Sequence, residues 1–593
     1  MYYSKIKRFA ECLLYSFNVS FVASKKFFVS KIFLMITLTA TPFVLLVLWR
    51  NAINLLFDGT ANLRSILMLI GLYMTVYLLN SILEKADEFT NYRYNDCINL
   101  YLDNLMTEKL SSIDLEFFDS SEKMNQMTNS RRLLASLQHT VWIFFSMIQS
   151  FVKLIVASIL LSSLNIWLFL IIIIINIPVF VVKRKVEEVE FDYGRYSIKN
   201  FRKMSYFKEL FFNSSINEIR LYNLKGFFIQ KYSKEWREWF SGKKKLRRKT
   251  FVSAFATSFV SSIGFIITLA LAVQRLVARR IGVGDAQYYI SITDSLQSEM
   301  DNVIDFTFSF YIRSKEIMIV RDFIEMKSTM DMRGINKISG FSDIVFENVS
   351  FKYPNSDKYV LKNCSFRINS HERIGLVGLN GAGKTTIVKL LLRFYDPIDG
   401  RILIDGQDLK DIDIKSLRIL YSVLFQDFTR YSLSLRENIV LSDMDKSAET
   451  DLILQACKKS GVYDFMSIWE NGLDTNLTRM FDPAGQELSL GQWQKVALAR
   501  TYFRDTDVLL LDEPSASLDP EAEHVIFENI YKLAIDKCVL LISHRLSNIT
   551  LADRILVIED GAIKESGAHY DLMKLNGQYA YLFKLQSDKY EKD

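Results

Sequence analysis

Cysteine and proline are both scarce in this chain of 593 residues, which has five of the first and seven of the second. The cysteines are scattered, odd in number and include no C-x-x-C pair, so neither a disulfide framework nor a zinc site is indicated. They are expected to be reduced thiols. The few prolines, with a charged fraction of 24% and both signs nearly balanced, exclude a disordered, collagen-like or low-complexity chain.

Charge is also missing from long stretches of the first half of the chain. Half of all residues are apolar, and the mean hydropathy of +0.11 is too high for an ordinary cytosolic protein. Residues 1–340 carry 43 Lys and Arg against 29 Asp and Glu, whereas residues 341–593 carry 30 against 38. Because the halves differ in hydropathy and in sign of charge, we expect two joined parts with different tasks.

The uncharged runs have the length of membrane-spanning helices. Three of them are close to the ~20 residues that cross a bilayer as a helix: residues 32–49, 65–83 and 250–274. Residues 133–182 contain Lys153 as their only formal charge, and one helix of that length would reach about 75 Å, far beyond any bilayer. This stretch must therefore fold back as two spans, with the turn expected at Ser162, Ser163 and Asn165.

A sixth span is needed if both ends of the membrane part are to share a compartment, and residues 286–311 are the candidate. Four carboxylates interrupt this segment: Asp294, Glu299, Asp301 and Asp305. A carboxylate at the bilayer centre costs about 2.5 to 3.5 kcal/mol, so four facing lipid would cost roughly 10 kcal/mol. Either neighbouring helices shield this helix and it lines water, or it is not a span.

The basic residues predict the orientation. Residues 1–31, 84–132 and 183–249 together hold 31 Lys and Arg, against five in the segments on the opposite side. The positive-inside rule therefore places the N-terminus and both long loops in the cytosol. The expected division is a cytosolic amphipathic lead (1–31), a six-span domain (32–311) with cytosolic loops 84–132 and 183–249, a linker helix (312–340) and a second domain (341–593).

From about residue 341, short β-rich runs alternate with helical ones, which predicts a parallel α/β sheet. The strand-like runs are residues 343–351, 373–377, 508–511 and 539–542. Residues 378–385 read GLNGAGKT and match the P-loop pattern G-x-x-x-x-G-K-[ST] between a strand and a helix. In such a loop the glycines let backbone N–H groups surround phosphate, Lys384 adds charge, and the Thr385 hydroxyl ligates Mg²⁺.

Two carboxylates end the buried run VLLLDE. Asp512 is expected to hold the metal and Glu513 to polarise an attacking water, because phosphoryl transfer needs both functions. His544 ends the next apolar run, where its imidazole can reach a γ-phosphate. A capping or core histidine is the alternative interpretation of His544.

This order of motifs resembles the ATP-binding cassette (ABC) family, and within it bacterial exporter half-transporters. The resemblance covers nearly the whole chain. It implies the fold class, a membrane α-helical domain with six spans fused to a cytosolic α/β P-loop ATPase domain. It also implies ATP and Mg²⁺ as cofactors and places the chain in the bacterial plasma membrane as a multi-pass protein, with the N-terminus and the ATPase in the cytoplasm.

The resemblance further implies roles for individual residues. Tyr353 in the run FKYP would stack on adenine, with a core or edge-strand aromatic as the alternative. Gln426 in VLFQD would sense Mg²⁺ and water. The run LSLGQ is similar to the family signature, whose Ser489 and Gly491 cap the γ-phosphate bound by the other subunit. The family usually has glycine where this chain has Leu490.

Residues 517–519 (SLD) resemble the loop that links the two ATP sites across the dimer. The catalytic residues implied by the resemblance are Glu513, His544 and Gln426. The implied metal ligands are Thr385, Gln426 and Asp512. The residues implied to bind nucleotide are Tyr353, Gly378, Asn380, Gly381, Ala382, Gly383, Lys384, Thr385, Thr386, Ser489, Gly491, Gln492 and Asp519.

Residues 422–428, 491–495 and 512–516 resemble exporters of modified antimicrobial peptides of the lantibiotic type. The expected function is therefore ATP-driven export of a modified, cationic peptide, with a lipid or hydrophobic-drug exporter or flippase as the alternative. The expected partners are a second copy of the chain, with a heterodimer left open, and the lipid bilayer, but no nucleic acid. Only about 31 residues precede the first span, so no peptidase domain is expected there.

Two further features concern the cargo and the long loops. Asp294, Ser298, Asp301 and Asp305 share one helical face. They are hypothesised to line a cavity that favours a cationic peptide; the alternative is pairing with Lys153 or exposure at a wet vestibule. In this family the long loops dock on the ATPase through their tips. Residues 115–119 and 218–222 of this chain resemble such tips. Solvated helix hairpins are the alternative.

Overall fold

The computed structural model divides the chain into two compact units. The first unit is Met1–Ser111 with Asn125–Met326, and the second is Ser112–Met124 with Lys327–Asp593. The second unit therefore includes a short segment of the first long loop. The described residues are 2–57, 62–212, 216–328, 330, 334–354, 356–514, 520–533 and 537–590.

Helices make up the chain before the first strand. In chain order they are α1 (Tyr2–Ala23), α2 (Lys25–Phe57), α3 (Leu63–Ser112), α4 (Leu115–Phe118), α5 (Ser121–Leu133), α6 (Ala135–Leu164), α7 (Ile166–Tyr196), α8 (Ile198–Glu209), α9 (Ile216–Leu221), α10 (Lys225–Val277) and α11 (Val283–Ile324). Within the described residues, five are long and apolar enough to cross a membrane: α2, α3, α6, α7 and α10. They contain the three uncharged runs and the two halves of residues 133–182 that are expected to be spans.

The turn expected within residues 133–182 is confirmed. Helix α6 ends at Leu164 and α7 begins at Ile166, with Asn165 extended between them. The Asn165 side-chain oxygen accepts hydrogen bonds from the backbone N–H groups of Trp167 and Leu168, at 3.1 and 3.4 Å. A side chain thus satisfies donors that the start of a helix leaves unpaired.

The candidate sixth span lies inside α11, and lysines from other helices approach three of its four carboxylates. Lys153 Nζ lies 3.9 Å from a carboxylate oxygen of Glu299. Lys183 Nζ lies 3.1 Å from Asp301 and 2.8 Å from Asp305. These lysines bring positive charge to the acidic groups, but the Asp305 side chain remains 59% exposed, and α11 is not among the described helices that are apolar enough to cross a membrane.

The linker helix expected at 312–340 is shorter than the sequence suggested. Helix α11 ends at Ile324, and the described residues 334–342 form no helix. Instead, the Asn336 N–H donates to the Asp411 carbonyl at 3.1 Å, and the Asn336 carbonyl accepts from the Asp413 N–H at 2.8 Å. Because this pairing uses the backbone groups that a helix would need, the segment runs extended.

The second unit contains two sheets. Its strands are β1 (Asp343–Phe351), β2 (Leu361–Asn369), β3 (Arg373–Val377), β4 (Asp399–Ile404), β5 (Gln407–Asp408), β6 (Tyr421–Leu424), β7 (Val508–Asp512), β8 (Cys538–Ile542), β9 (Arg554–Glu559) and β10 (Ala562–Gly567). The larger sheet has the order β10-β9-β3-β8-β7-β6, with β9, β3, β8, β7 and β6 parallel and β10 antiparallel at the edge. The parallel α/β sheet predicted from the sequence is therefore confirmed.

The smaller sheet is antiparallel, with the order β2-β1-β4-β5. The sequence predicted its first strand but not its separation from the parallel sheet. The helices of the second unit beyond the first strand are α12 (Lys384–Leu391), α13 (Ile414–Ile419), α14 (Leu435–Val440), α15 (Thr450–Ser460), α16 (Tyr463–Met466), α17 (Leu490–Arg504), α18 (Pro520–Leu533), α19 (His569–Leu575) and α20 (Gln578–Tyr590).

Strands β7 and β8 form the centre of the second unit, because every residue in both is buried. A parallel strand covered on both faces requires such a continuous apolar run. Three of the cysteines, Cys364, Cys457 and Cys538, are free and buried in this unit. Burial raises their pKa values, to about 11 for Cys364 and about 12 for the other two, so these thiols are neutral at physiological pH.

Truncation of the β7 core tests this packing. Leu510 is fully buried, and we expect Leu510→Ala to lower the free energy of unfolding by about 2 to 5 kcal/mol, because it leaves a cavity between close-packed layers. Leu551 is 64% exposed, so Leu551→Ala is the matched control, with a change of at most about 0.5 kcal/mol. Thermal unfolding of the purified protein in detergent measures both, and equal melting temperatures would contradict the assigned core.

Candidate functional site

The loop between β3 and α12 has the form of a phosphate cradle. Gly381 and Gly383 adopt left-handed backbone angles, with φ of +80° and +110°, which side chains disfavour. Lys384 is 7% exposed, and its ammonium donates hydrogen bonds to the carbonyls of Gly378 (2.8 Å) and Leu379 (3.2 Å). Burial lowers the pKa of Lys384, opposed by the charges of nearby carboxylates. Asn380 and Ala382 complete this loop.

Two oxygen ligands meet beside the loop. Thr385, in the first turn of α12, donates its hydroxyl hydrogen to a carboxylate oxygen of Asp512 at 2.8 Å. Asp512 ends β7 and is 2% exposed. Burial raises the pKa of Asp512, whereas the bond from Thr385 and the charge of Lys384 lower it. Mg²⁺ takes one or two protein oxygens together with phosphate oxygens, so this pair fits it.

Two side chains that follow neighbouring strands converge on the carboxylate of Glu513. His544 Nε2 lies 2.6 Å from one oxygen of Glu513, and Gln426 Nε2 donates to the other oxygen at 2.9 Å. Glu513 follows β7, Gln426 lies just after β6, and His544 lies just after β8. Because β6, β7 and β8 are parallel neighbours, their carboxyl ends share one edge of the sheet.

The backbone of Glu513 is also held on both sides. Its φ of 54° lies in the left-handed region, which costs a residue other than glycine free energy and often marks functional positions. The Glu513 N–H donates to the Ile542 carbonyl at 2.9 Å, and the Glu513 carbonyl accepts from Gln494 Nε2 at 3.2 Å. Sequence reasoning used the run GQWQK only as a subfamily feature and missed this role of Gln494.

His544 is not a core residue, because 45% of its side chain is exposed. Of the alternative interpretation, a capping or core histidine, the core histidine therefore does not apply. Its contact with Glu513 places the imidazole on the side of the carboxylate opposite Gln426.

Tyr353 follows β1 and lies next to the P-loop helix. Its hydroxyl is 3.0 Å from the Thr386 hydroxyl. Its ring packs edge-on against Phe351 and Tyr395, with centroids 5.1 and 5.5 Å away. It also lines an open cleft of about 690 Å³. Tyr353 therefore belongs to an aromatic cluster that borders this cleft.

The signature residues form the start of α17. The Ser489 side chain accepts from the Gln492 N–H at 3.2 Å, and the Gln492 side chain accepts from the Ser489 N–H at 2.9 Å. This reciprocal capping box leaves Leu490 46% exposed in the first helical turn, beside Gly491. The leucine thus fits the chain without disturbing the cap. Asp519 lies outside the described residues, as do Ser517 and Leu518.

The two loop tips differ in their surroundings. Helix α4, which is the first tip, belongs to the second unit, where the Tyr395 hydroxyl donates a hydrogen bond to the carboxylate of Asp119. Helix α9, which is the second tip, belongs to the first unit. Its end is highly exposed, with Leu221 at 74% and Tyr222 at 65%.

Asp294, Ser298, Asp301 and Asp305 form an acidic stripe on one face of α11. Only part of this stripe lines a single cavity. Asp301 and Asp305 pair with Lys183, whereas Asp294 and Ser298 are exposed on the same helix. A cavity of about 450 Å³ in the first unit is lined by Lys183, Val186, Thr250, Ser253, Ala254, Thr257, Ser258, Asp301 and Asp305.

Comparison with known proteins agrees with this architecture. The ABC transporter profile matches residues 361–516. The chain is 30% identical to the subtilin transport ATP-binding protein SpaT of Bacillus subtilis over 566 residues, which cover 94% of this chain and 91% of that protein. It is 27% identical to the nisin transport ATP-binding protein NisT of Lactococcus lactis subsp. lactis over 560 residues, covering 93% and 92%.

A solved structure shares the fold along the whole chain. The structure of a bacterial Atm1-family ABC exporter with ATP bound matches with a TM-score of 0.80 and 22% identity, covering 95% of this chain and 98% of that one. The similarity to SpaT covers 94% of the chain and therefore extends across both units. The chain therefore belongs to the ABC transporters, as a multi-pass membrane exporter that binds ATP and couples its hydrolysis to transport.

Proposed function

We propose that this exporter carries a modified, cationic peptide out of a bacterial cell across the plasma membrane. The observation that carries the proposal is the full-length similarity to two proteins named for the transport of subtilin and nisin. The N-terminus, both long loops and the ATPase lie in the cytoplasm in this proposal, because the positive charge is concentrated in those loops. Export of a lipid or a hydrophobic drug is the alternative.

Hydrolysis follows from the residues at the sheet edge. Lys384 and the loop N–H groups bind the β- and γ-phosphates, and Tyr353 stacks on adenine. Thr385 and Asp512 would hold Mg²⁺, assisted by Gln426; the ion neutralises charge that develops on the phosphates. Glu513 orients and polarises the attacking water.

The hydrogen bonds around Glu513 suit this task. Gln426 and His544 occupy opposite oxygens of its carboxylate and so set the plane of the group before a water arrives. A fixed orientation reduces the rearrangement that the transition state requires. His544 is exposed, and in this proposal its imidazole contacts the γ-phosphate.

A second copy of the chain completes each ATP site in this proposal. The capping box pairs the N–H groups of Ser489 and Gln492, and the N–H groups of Leu490 and Gly491 lie between them at the positive end of the α17 dipole, which suits an anion. Each ATP would lie between the P-loop of one chain and Ser489 and Gly491 of its partner. The exposed apolar end of α9, at Leu221 and Tyr222, is a further surface for the partner.

Transport follows from closing and opening this dimer. Two ATP molecules join the ATPase units, the long loops transmit closure to the membrane helices, and an inward-open cavity becomes outward-open. Hydrolysis then resets the cycle. The cavity beside Asp301 and Asp305 is the proposed contact for the cationic cargo, together with Asp294 and Ser298 on the same helix.

Removal of the water-orienting carboxylate tests the catalytic assignment. We expect the steady-state hydrolysis rate of Glu513→Gln to fall by a factor of about 10² to 10⁴, because the amide cannot act as a base. The variant should still bind ATP and should be trapped as a closed dimer. Phosphate release and nucleotide retention measure these effects. Glu470→Gln, at an exposed glutamate, is the control. Turnover of Glu513→Gln close to that of the unmodified protein would refute the role.

Mixed dimers test whether the ATP sites are shared. Lys384→Ala and Ser489→Arg should each abolish ATPase activity when present in both chains. A mixed dimer with one substitution in each chain retains one site with both its P-loop and its signature intact. We therefore expect co-expression of the two variants, followed by tandem affinity purification, to restore ATPase activity. Inactive mixed dimers would indicate that the signature does not act across the dimer.

Neutralisation of the stripe tests the cargo contact. The measurement uses protein reconstituted into liposomes and the double variant Asp294→Asn with Asp301→Asn. We expect the concentration of a cationic peptide that gives half-maximal stimulation of ATPase activity to rise about three- to tenfold. The reason is that each partly exposed charge pair contributes up to about 1 kcal/mol. Asp451→Asn with Glu470→Gln, in the second unit, is the control. Unchanged stimulation removes the stripe from the proposal, and stimulation by neutral amphiphiles alone favours the lipid or drug exporter.

A further inference from the structure

Tyr395 joins the first loop tip to the rest of the second unit. It follows the P-loop helix by four residues and is 4% exposed. Its hydroxyl donates to the carboxylate of Asp119, the residue that ends α4. Burial, reinforced by the negative charge of Asp119, raises the pKa of Tyr395. The hydroxyl therefore stays protonated and remains the donor.

The ring of Tyr395 continues the connection towards the nucleotide site. It meets Tyr353 edge-on, with centroids 5.5 Å apart and ring planes at 86°, and packs against Phe351 at 5.4 Å. The Tyr353 hydroxyl lies 3.0 Å from that of Thr386. A continuous series of contacts thus runs from Asp119 through two tyrosines to the P-loop helix.

The cleft beside Tyr353 supplies a second connection. The tip contributes Glu116 to the walls of this cleft of about 690 Å³, which Met330, Phe351, Tyr353 and Tyr395 also line. A planar group that lies on Tyr353 in this cleft therefore also borders the tip. The position of the tip and the shape of the adenine surface are then physically linked, because packed aromatic groups move together.

We propose that Tyr395 is a positioning residue through which the first loop tip controls the affinity for ATP. The bond to Asp119 holds the Tyr395 ring, and the ring holds Tyr353 in the orientation that receives adenine. This inference rests on the proposed stacking of adenine on Tyr353. By thermodynamic reciprocity, ATP binding must hold the tip as strongly as the tip favours ATP.

Three substitutions in the full-length reconstituted protein separate the hydroxyl from the ring. Tyr395→Phe keeps the ring and removes the donor, Asp119→Ala removes the acceptor, and Asp119→Asn keeps an acceptor. We expect the first two each to raise KM for ATP about three- to tenfold with kcat within about twofold, as for one charge-assisted hydrogen bond to a partly exposed group. Asp119→Asn should restore KM, and the double variant should be no worse than either single one.

Hydrogen exchange of residues 112–124 supplies a readout that a purely structural role would not change in this way. ATP should slow exchange of this segment in the unmodified protein and in Asp119→Asn, but not in Tyr395→Phe. Tyr421→Phe is the matched control, because the buried Tyr421 hydroxyl has no hydrogen-bond partner among the described residues. It should leave both KM and exchange unchanged.

The outcomes distinguish this inference from the function on which it rests. If Tyr353→Ala raises KM for ATP while Tyr395→Phe and Asp119→Ala leave it unchanged, adenine stacking stands and the role of Tyr395 is overturned. Additive effects of Tyr395→Phe and Asp119→Ala overturn it as well. An unchanged KM in Tyr353→Ala overturns the adenine contact and the role of Tyr395 together.

Discussion

Parallel pairing of three buried strands is the constraint on which the ATP site depends. The register pairs Leu424 of β6 with Leu511 of β7, and Asp512 with Ile542 of β8, so the three strands end nearly level. The polar residues that follow them are thereby brought to one edge. The continuous apolar runs of β7 and β8 keep both strands at the centre of the sheet, because both of their faces are buried.

Charge compensation is the corresponding constraint in the first unit. Helix α11 carries carboxylates among apolar helices, and an unpaired carboxylate there would be strongly unfavourable. Lys153 and Lys183, which belong to α6 and α7, supply positive charge to Glu299, Asp301 and Asp305. The pairing places Asp301 and Asp305 beside a cavity of the first unit, which is the contact that we propose for a cationic cargo.

Local patterns predicted much of the fold and most of the ATP site. Strands β1 and β3 begin and end at the bounds of the strand-like runs predicted from the sequence. The turn at Asn165 lies where small polar residues interrupt an apolar stretch. The strands and the turn were predictable because each depends on residues that are close together in the chain. The prediction that the linker helix extends to residue 340 was wrong because Asn336 pairs with residues 411–413. This contact joins segments that are far apart in the chain. Gln494 was missed because its partner is a backbone carbonyl in another element, which no motif encodes.

Sequence alone determined the chemical groups: a glycine-rich loop with Lys384, carboxylates after an apolar strand, and five helices long enough for a bilayer. These follow from residue type and spacing, which act over a few residues. Only the tertiary structure decided which groups meet. It joined His544 and Gln426 at Glu513, gave Lys183 two acidic partners, and assigned the first loop tip to the ATPase unit. Such meetings depend on strand order and helix packing, which are properties of the whole chain.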